Sequence, residues 1–276
     1  MLNEFIYEDH TGKRLVGLDC GLFLNNNELR DYSWNYESVN NRISRFYRSI
    51  TARKLPLVVA CETEQAAATV KAQLLNMAET DIASKKPGKV YVNDCYTLGF
   101  ITASTKSNYH LSKCLCEIEL TLTSDDPSWY RESKIVFPAN TEDTVSTGSG
   151  TDYPYDYAYD YAGIMPGRKI PCDTLSSNEF RIVIYGRAYN PAITIGGHTY
   201  AINGTIGAGE TLTIDSTAKT VILTTASGQH INWFDKRGRD SYIFEPIPPG
   251  THSVTWNGLF GFDLTVIEKR SEPTWI

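Results

Sequence analysis

Five histidines (His10, His110, His198, His230, His252) and six cysteines (Cys20, Cys61, Cys95, Cys114, Cys116, Cys172) are the side chains of this 276-residue sequence best suited to metal or nucleophilic chemistry. The histidines fall in expected loops or strand ends and never recur at i, i+3 or i+4, so no zinc site is spelled. Cys114 and Cys116 stand two apart in a strand-period pattern and share a face. They read either as a metal pair or, the favoured reading, as two small buried hydrophobes. No cysteine has an identifiable base partner, no G-x-S-x-G is present, and Gly207-Ala208-Gly209 reads as a turn between strands rather than a phosphate cradle. A carboxylate pair for glycoside hydrolysis can come from distant strands, and with 32 acidic residues chance pairs abound. The expectation is a protein that is not an enzyme and holds no cofactor and no metal.

Composition narrows the remaining classes. At 41% hydrophobic and 21% charged residues the chain can bury a core, and its length suits one large or two ordinary domains. Against 32 acids stand 26 basic residues, a net charge of -6 without any basic stripe, which excludes a surface that grips nucleic acid through its phosphates. No run approaches the ~20 apolar residues of a membrane span. The first residues lack the basic and apolar regions of a signal peptide, so synthesis and folding in a cytoplasm with free thiols are expected.

The elements that would position these residues are mostly strands. Thr63 to Ser84 is the exception: Ala-rich and opened by Thr63 and Glu64, it places Ala67, Val70, Leu74, Met77 and Ile82 at helical spacing. Around it, Leu15 to Cys20, Ile43 to Ile50, Leu55 to Cys61, Val90 to Val92 and Gly99 to Thr102 read as strand pieces, with Pro56 favouring an edge. Cys114 to Thr123 alternates as a strand with one wet face, Ile118, Leu120 and Leu122 pointing one way. Asn140 to Gly150 has linker composition. Beyond it, Phe180 to Tyr185, a hairpin of Ile193–Ile195 and Tyr200–Ile202 across Gly196-Gly197, Glu210 to Asp215, Thr220 to Thr224, Ser241 to Phe244, Ser253 to Trp256 and Phe262 to Ile267 read as the strands of a sandwich.

Two aromatic clusters stand out. Among 17 tyrosines, Tyr153, Tyr155, Tyr157, Tyr159 and Tyr161 recur every second residue, with Asp152, Asp156 and Asp160 every fourth. An extended chain places all five rings on one side, a docking strip for a connector; a calcium loop is the weaker reading of the three Asp. Tyr32, Trp34, Tyr36, Phe46 and Tyr47 lie among polar residues in the segment from Leu29 to Ile50, the composition of an interface hairpin. On the second domain Trp233, Tyr242 and Trp256 suggest a sugar-stacking platform, although Trp256 belongs to an alternating strand and reads as core.

The run Phe262 to Trp275 with its R-S-E-P-x-W ending, the Pro249-Gly250 and Ser253 to Gly258 segments, the Asp/Tyr repeat and the stretch Asn203 to Asp215 together resemble the distal tail proteins of long-tailed, non-contractile bacteriophages (siphophages). The resemblance is good over 150–276 and rests mainly on element order over 1–145. It implies a mainly β chain: an N-terminal β-rich, tail-tube-like domain with one helix over 1–147, an extended connector over 148–172, and a galectin-like or jelly-roll β-sandwich over 173–276. It further implies a homohexameric ring serving as baseplate hub at the virion tail tip, made in the host bacterial cytoplasm. The expected partners are other copies of the chain, a tail tube protein, a tail-tip or tail-associated protein and a receptor-binding protein, with no sequence-specific nucleic acid. A carbohydrate-binding module for bacterial envelope glycans is the alternative. The long insertions of enlarged family members, which carry such modules, are absent.

Overall fold

The helix forms where the Ala-rich segment calls for it. Thr63 has extended backbone and its hydroxyl accepts the Ala66 N–H at 3.2 Å, capping a helix over Glu64–Ser84. Lys85 ends it in the left-handed region. In the computed structural model, which describes residues 3–25, 28–107, 114–139 and 168–274, this helix is α2; α1 is a single turn, Gly17–Cys20. The strands of the first half are β1 Asn3–Glu4, β2 Ile6–Glu8, β3 Arg14–Val16, β4 Leu22–Leu24, β5 Asn35–Val39 and β6 Arg42–Tyr47. They are followed by β7 Thr51–Ala60, β8 Gly88–Val92, β9 Cys95–Ser107, β10 Leu115–Ser124 and β11 Trp129–Phe137. The second half holds β12 Arg168–Cys172, β13 Glu179–Tyr185, β14 Ala188–Tyr189, β15 Ala192–Ile195, β16 His198–Ala201 and β17 Thr205–Ile206. It continues with β18 Thr211–Asp215, β19 Thr220–Thr224, β20 His230–Asn232, β21 Gly250–Trp256 and β22 Phe262–Arg270.

The chain is mainly β and divides into two compact units, Met1–Arg131 together with Lys269–Ile276, and Glu132–Glu268. The division falls before the polar stretch 140–150, and the last residues return to the first unit. Residues 140–167, which hold the tyrosine strip, lie outside the described residues.

In the first unit β1, β4, β7, β10 and β9 form an antiparallel sheet. The 13-residue β9 also pairs through its first half with β8, which carries on to β2 and β3, so one long strand serves two sheets. The inward residues of β7 and β10 alternate, Leu55, Leu57 and Val59 facing Ile118, Leu120 and Leu122, and α2 buries Ala67, Val70, Leu74, Met77 and Ala78 in the same core. Asp81 on the last turn of α2 is fully buried. The Tyr7 hydroxyl donates to its Oδ2, the His10 N–H to its Oδ1 at 2.9 Å, and His10 Nδ1 lies 2.7 Å from Oδ1. Burial and the Asp81 carboxylate push the Tyr7 phenol pKa up. Gly88 passes so close that a Cβ would meet both the Tyr7 hydroxyl and the Asp81 carboxylate at 2.5 Å.

The second unit is a sandwich: β22, β13, β18, β19 and β20 form one sheet, β12, β21, β15 and β16 the other, and one apolar core lies between them. Tyr200, Phe180, Phe262 and Phe137 are among its fully buried rings. The Gly196-Gly197 turn joins β15 to β16 with both residues at positive φ, as that hairpin requires.

Four local expectations are corrected. Pro56 does not sit on an edge strand, because β7 pairs with both β4 and β10. Its carbonyl accepts the Asn25 N–H just past the end of β4, so its nitrogen faces a stretch where the ladder has stopped. Ile82 is about half exposed, sharing the rim of α2 with Leu75. Leu15 to Cys20 is a strand for two residues only; Gly17, packed against the Leu22 and Phe5 carbonyls, turns the chain into α1. Ser241 to Phe244 buries Ile243 and Phe244 but joins no ladder. The Tyr242 carbonyl is taken by His198 Nε2 at 2.8 Å and the Glu245 N–H at 3.1 Å, which fixes a turn instead.

Candidate functional site

Among the described residues of the first unit, the segment from Tyr32 to Arg48 exposes a run of large apolar side chains: Tyr32, Trp34, Tyr36, Val39, Ile43, Phe46 and Tyr47. Its strands β5 and β6 meet through Asn40 and Asn41, both at positive φ, the conformation that a two-residue hairpin turn with right-handed twist needs. Tyr36 pairs with Phe46, Asn35 with Tyr47, and a register shift after Glu37 leaves Ser38 opposite Ile43 and Val39 opposite Arg42. Directly opposed residues share a face, so Trp34, Tyr36, Ile43 and Phe46 form one side of the ribbon. The other side carries Glu37, Val39, Arg42, Arg45 and Tyr47. Every residue of both strands is exposed, Tyr36 at 62% and Phe46 at 58%.

The structure therefore brings Trp34, Tyr36 and Phe46 together and adds Ile43, which the composition did not single out. Tyr47 lies on the opposite face, and Tyr32 precedes β5 and lines a separate cavity. The Trp34 and Phe46 rings meet edge to face with centroids 6.5 Å apart. The Arg48 guanidinium stacks over the Trp34 ring at 4.1 Å. Arg48 is itself held by the Ser128 hydroxyl at 3.2 Å and by the Ser271 hydroxyl, so the base of the ribbon is anchored while its apolar face is not covered. A ribbon of two strands that buries neither face in its own unit is marginal alone, and contiguous exposed aromatics mark an interaction surface.

The residues suited to chemistry are dispersed. His198 meets the Tyr242 carbonyl and the edge of the Tyr200 ring, His230 meets Thr224 Oγ1, His252 meets the Pro248 carbonyl, and His110 lies outside the described residues. Among the described residues no group of three or more His, Cys, Asp or Glu is placed to hold a metal ion. Cys116 is buried, with the Lys71 ammonium 3.8 Å from its sulfur. In the second unit Trp256 donates from its ring nitrogen to the Phe260 carbonyl at 3.0 Å and packs edge-on against Phe137 and Phe262. Trp233 leans on the same core beside Gly204, leaving Tyr242 as the exposed ring of that trio. No described helix is long and apolar enough to cross a membrane.

No family model matches the chain, and no curated protein matches it in sequence. Among solved structures it is similar to the SPP1 Dit protein, a paradigm of the hub adsorption apparatus in phages infecting Gram-positive hosts. The identity is 11%, the TM-score 0.55, and the match covers 96% of this chain and 98% of that one. It is also similar to a chain of the phage P2 baseplate in its activated conformation, both with Ca (11% identity, TM-score 0.62) and with Sr (12% identity, TM-score 0.62). Each of these matches covers 99% of this chain and 100% of the other. The fold is that of phage distal tail and baseplate hub proteins, over the whole length and both units, as the resemblance in the sequence implies.

Proposed function

We propose that the chain is a structural subunit of a phage tail hub, and that copies of it close into a hexameric ring that joins the tail tube to the tail-tip and host-adhesion apparatus. The observation that carries this reading is the full-length fold match to the SPP1 Dit protein and to a chain of the phage P2 baseplate. The hairpin supplies the means of assembly. A ring needs heterologous contacts, in which one patch meets a different patch on the next copy, and an anchored ribbon with Trp34, Tyr36, Ile43 and Phe46 on one face suits the first patch. The proposed setting is the virion tail tip after synthesis in the host cytoplasm, with a tube protein, a tail-tip protein and a receptor-binding protein as neighbours. The role needs no catalysis. The contiguous exposed aromatics of the hairpin lie on the first unit, while two of the three rings suggested for sugar stacking pack on the core of the second, which favours assembly over glycan recognition.

Native mass spectrometry with negative-stain imaging of the purified chain is expected to show a six-membered ring. A chain that stays monomeric at high concentration, alone and with its tube and tip partners, would overturn the reading.

A further inference from the structure

Arg53 occupies an inward position of β7, two residues before Leu55 in the same alternation, and is 6% exposed. Its Nη2 donates to the Pro127 carbonyl at 3.0 Å and, more distantly, to that of Asp31 at 3.5 Å. Its Nε and Nη1 are buried with no acceptor among the described residues. Arg48 lies beside it, bonded through its Nη atoms to Ser128 Oγ, Ser271 Oγ and the Pro127 carbonyl, with a buried Nε that also lacks an acceptor. Every hydrogen-bond partner of the two guanidiniums is neutral; the Asp31 carboxylate acts on Arg53 through charge alone, and that of Asp126 on Arg48, Asp126 being already paired with Lys269. Burial lowers the pKa of both, and the proximity of Arg48 lowers that of Arg53 further. A buried guanidinium left with unmatched donors is costly, and such donors call for a partner.

The two arginines open onto a cavity of about 220 Å³ that Asp31, Tyr32, Ser33 and Thr51 also line. Two guanidiniums and one Asp31 carboxylate leave it with one net positive charge. A single carboxylate balances that charge and can accept one N–H from each guanidinium; a dianion would face Asp31 with charge to spare.

We propose that Arg48 and Arg53 form a carboxylate-receiving site, filled in the assembled particle by an Asp or Glu side chain of a protein packed against the first unit. Only the source of the carboxylate rests on the assembly reading; the site itself does not. Because Arg48 stacks on Trp34, filling the site also fixes the root of the aromatic hairpin.

The test is thermal unfolding of the purified full chain in sodium acetate against sodium chloride and sodium sulfate at matched ionic strength. Acetate is expected to raise the melting temperature saturably, by about 2–4 °C for each kcal/mol of binding in units of this size. Arg53→Met is expected to lose that response while melting at or above the wild-type temperature in chloride, since an unmatched buried charge has gone. Arg48→Met is expected to lose the response as well and decides the matter should Arg53→Met not fold. Equal melting in acetate and chloride, or an acetate response that survives both substitutions, would overturn the site. A response to sulfate larger than that to acetate and lost with Arg53→Met or Arg48→Met would overturn the assignment to a single carboxylate, the part that survives both being the general salting effect of sulfate. Repeated on the assembled particle, a lost response identifies a protein side chain as occupant, whereas a retained one identifies free carboxylates and overturns the assigned source.

Discussion

Asp126 shows how single residues of the first unit set its response to pH. Burial raises its pKa, but hydrogen bonds from Lys269, Ser128 and Tyr130 outweigh that and hold the carboxyl at about 2, below its ordinary 3.8. A carboxylate depressed on folding adds stability above its unfolded pKa and loses it as pH falls through the folded one. Asp126→Asn is therefore expected to cost about 1 kcal/mol at neutral pH, the Lys269 partner being half exposed. The deficit against wild type should shrink between pH 4 and pH 2 in thermal melts. A deficit independent of pH would show that the hydrogen bonds, not the charge, carry the effect. At this scale legibility in the sequence was uneven. Trp34, Tyr36 and Phe46 are conspicuous because aromatics among polar residues have few reasons to be there, and they do share one face. Arg53 was missed, although the alternation of Leu55, Leu57 and Val59 already places it inward; counting the pattern backwards past the apolar run was the available signal. Asp126 offered little, since its cationic partner Lys269 is brought to it only by the fold, although Ser128 and Tyr130 stand close by in the sequence.

Elements that carry a local pattern of their own were legible, strands such as Phe180 to Tyr185 included, whereas Ser241 to Phe244 was not. The helix Glu64–Ser84 carries its cap and its apolar stripe within itself, and Gly196-Gly197 carries its own turn. Ser241 to Phe244 has strand-like composition, but its carbonyls and hydroxyl are claimed by His198, Glu245 and Thr199, which no local pattern announces. The hairpin β5–β6 is a ribbon formed by local turn chemistry and left uncovered, so changes on its apolar face should separate assembly from folding. Trp34→Ala is expected to move the melting temperature of the monomer by the equivalent of about 1 kcal/mol or less, the worth of an exposed cation–π contact and ring edge. It should weaken ring formation by a factor of about 30 or more, as a central aromatic anchor does. Sedimentation velocity over a concentration series, read beside the melts, checks both; equal loss in the two would place Trp34 in the fold rather than in the contact.

Across the whole molecule, sequence distance and structural membership part company. Lys269–Ile276 belongs to the unit built from the first 131 residues. Lys269 Nζ meets Asp126 Oδ2 at 2.6 Å, Ser271 receives Arg48, and the Thr274 hydroxyl donates to Asp94 at 2.6 Å while its carbonyl accepts Asn93 at 2.9 Å. Ending the chain at Glu268 is expected to lower the melting of the first unit by several degrees, since it removes this set of charge-assisted bonds, and to leave the sandwich core as it was. Hydrogen exchange resolved by peptide checks it: faster exchange in β9 and β11 with unchanged protection in β13 and β18 is the expected pattern, and the reverse would contradict it. A polar linker in the sequence suggested two beads on a string, because composition reports where a chain is hydrophilic and not which unit a later strand rejoins. In the language of gene architecture, the sandwich is an insertion: the first unit is written in two pieces, and β11 leads out of it and β22 leads back.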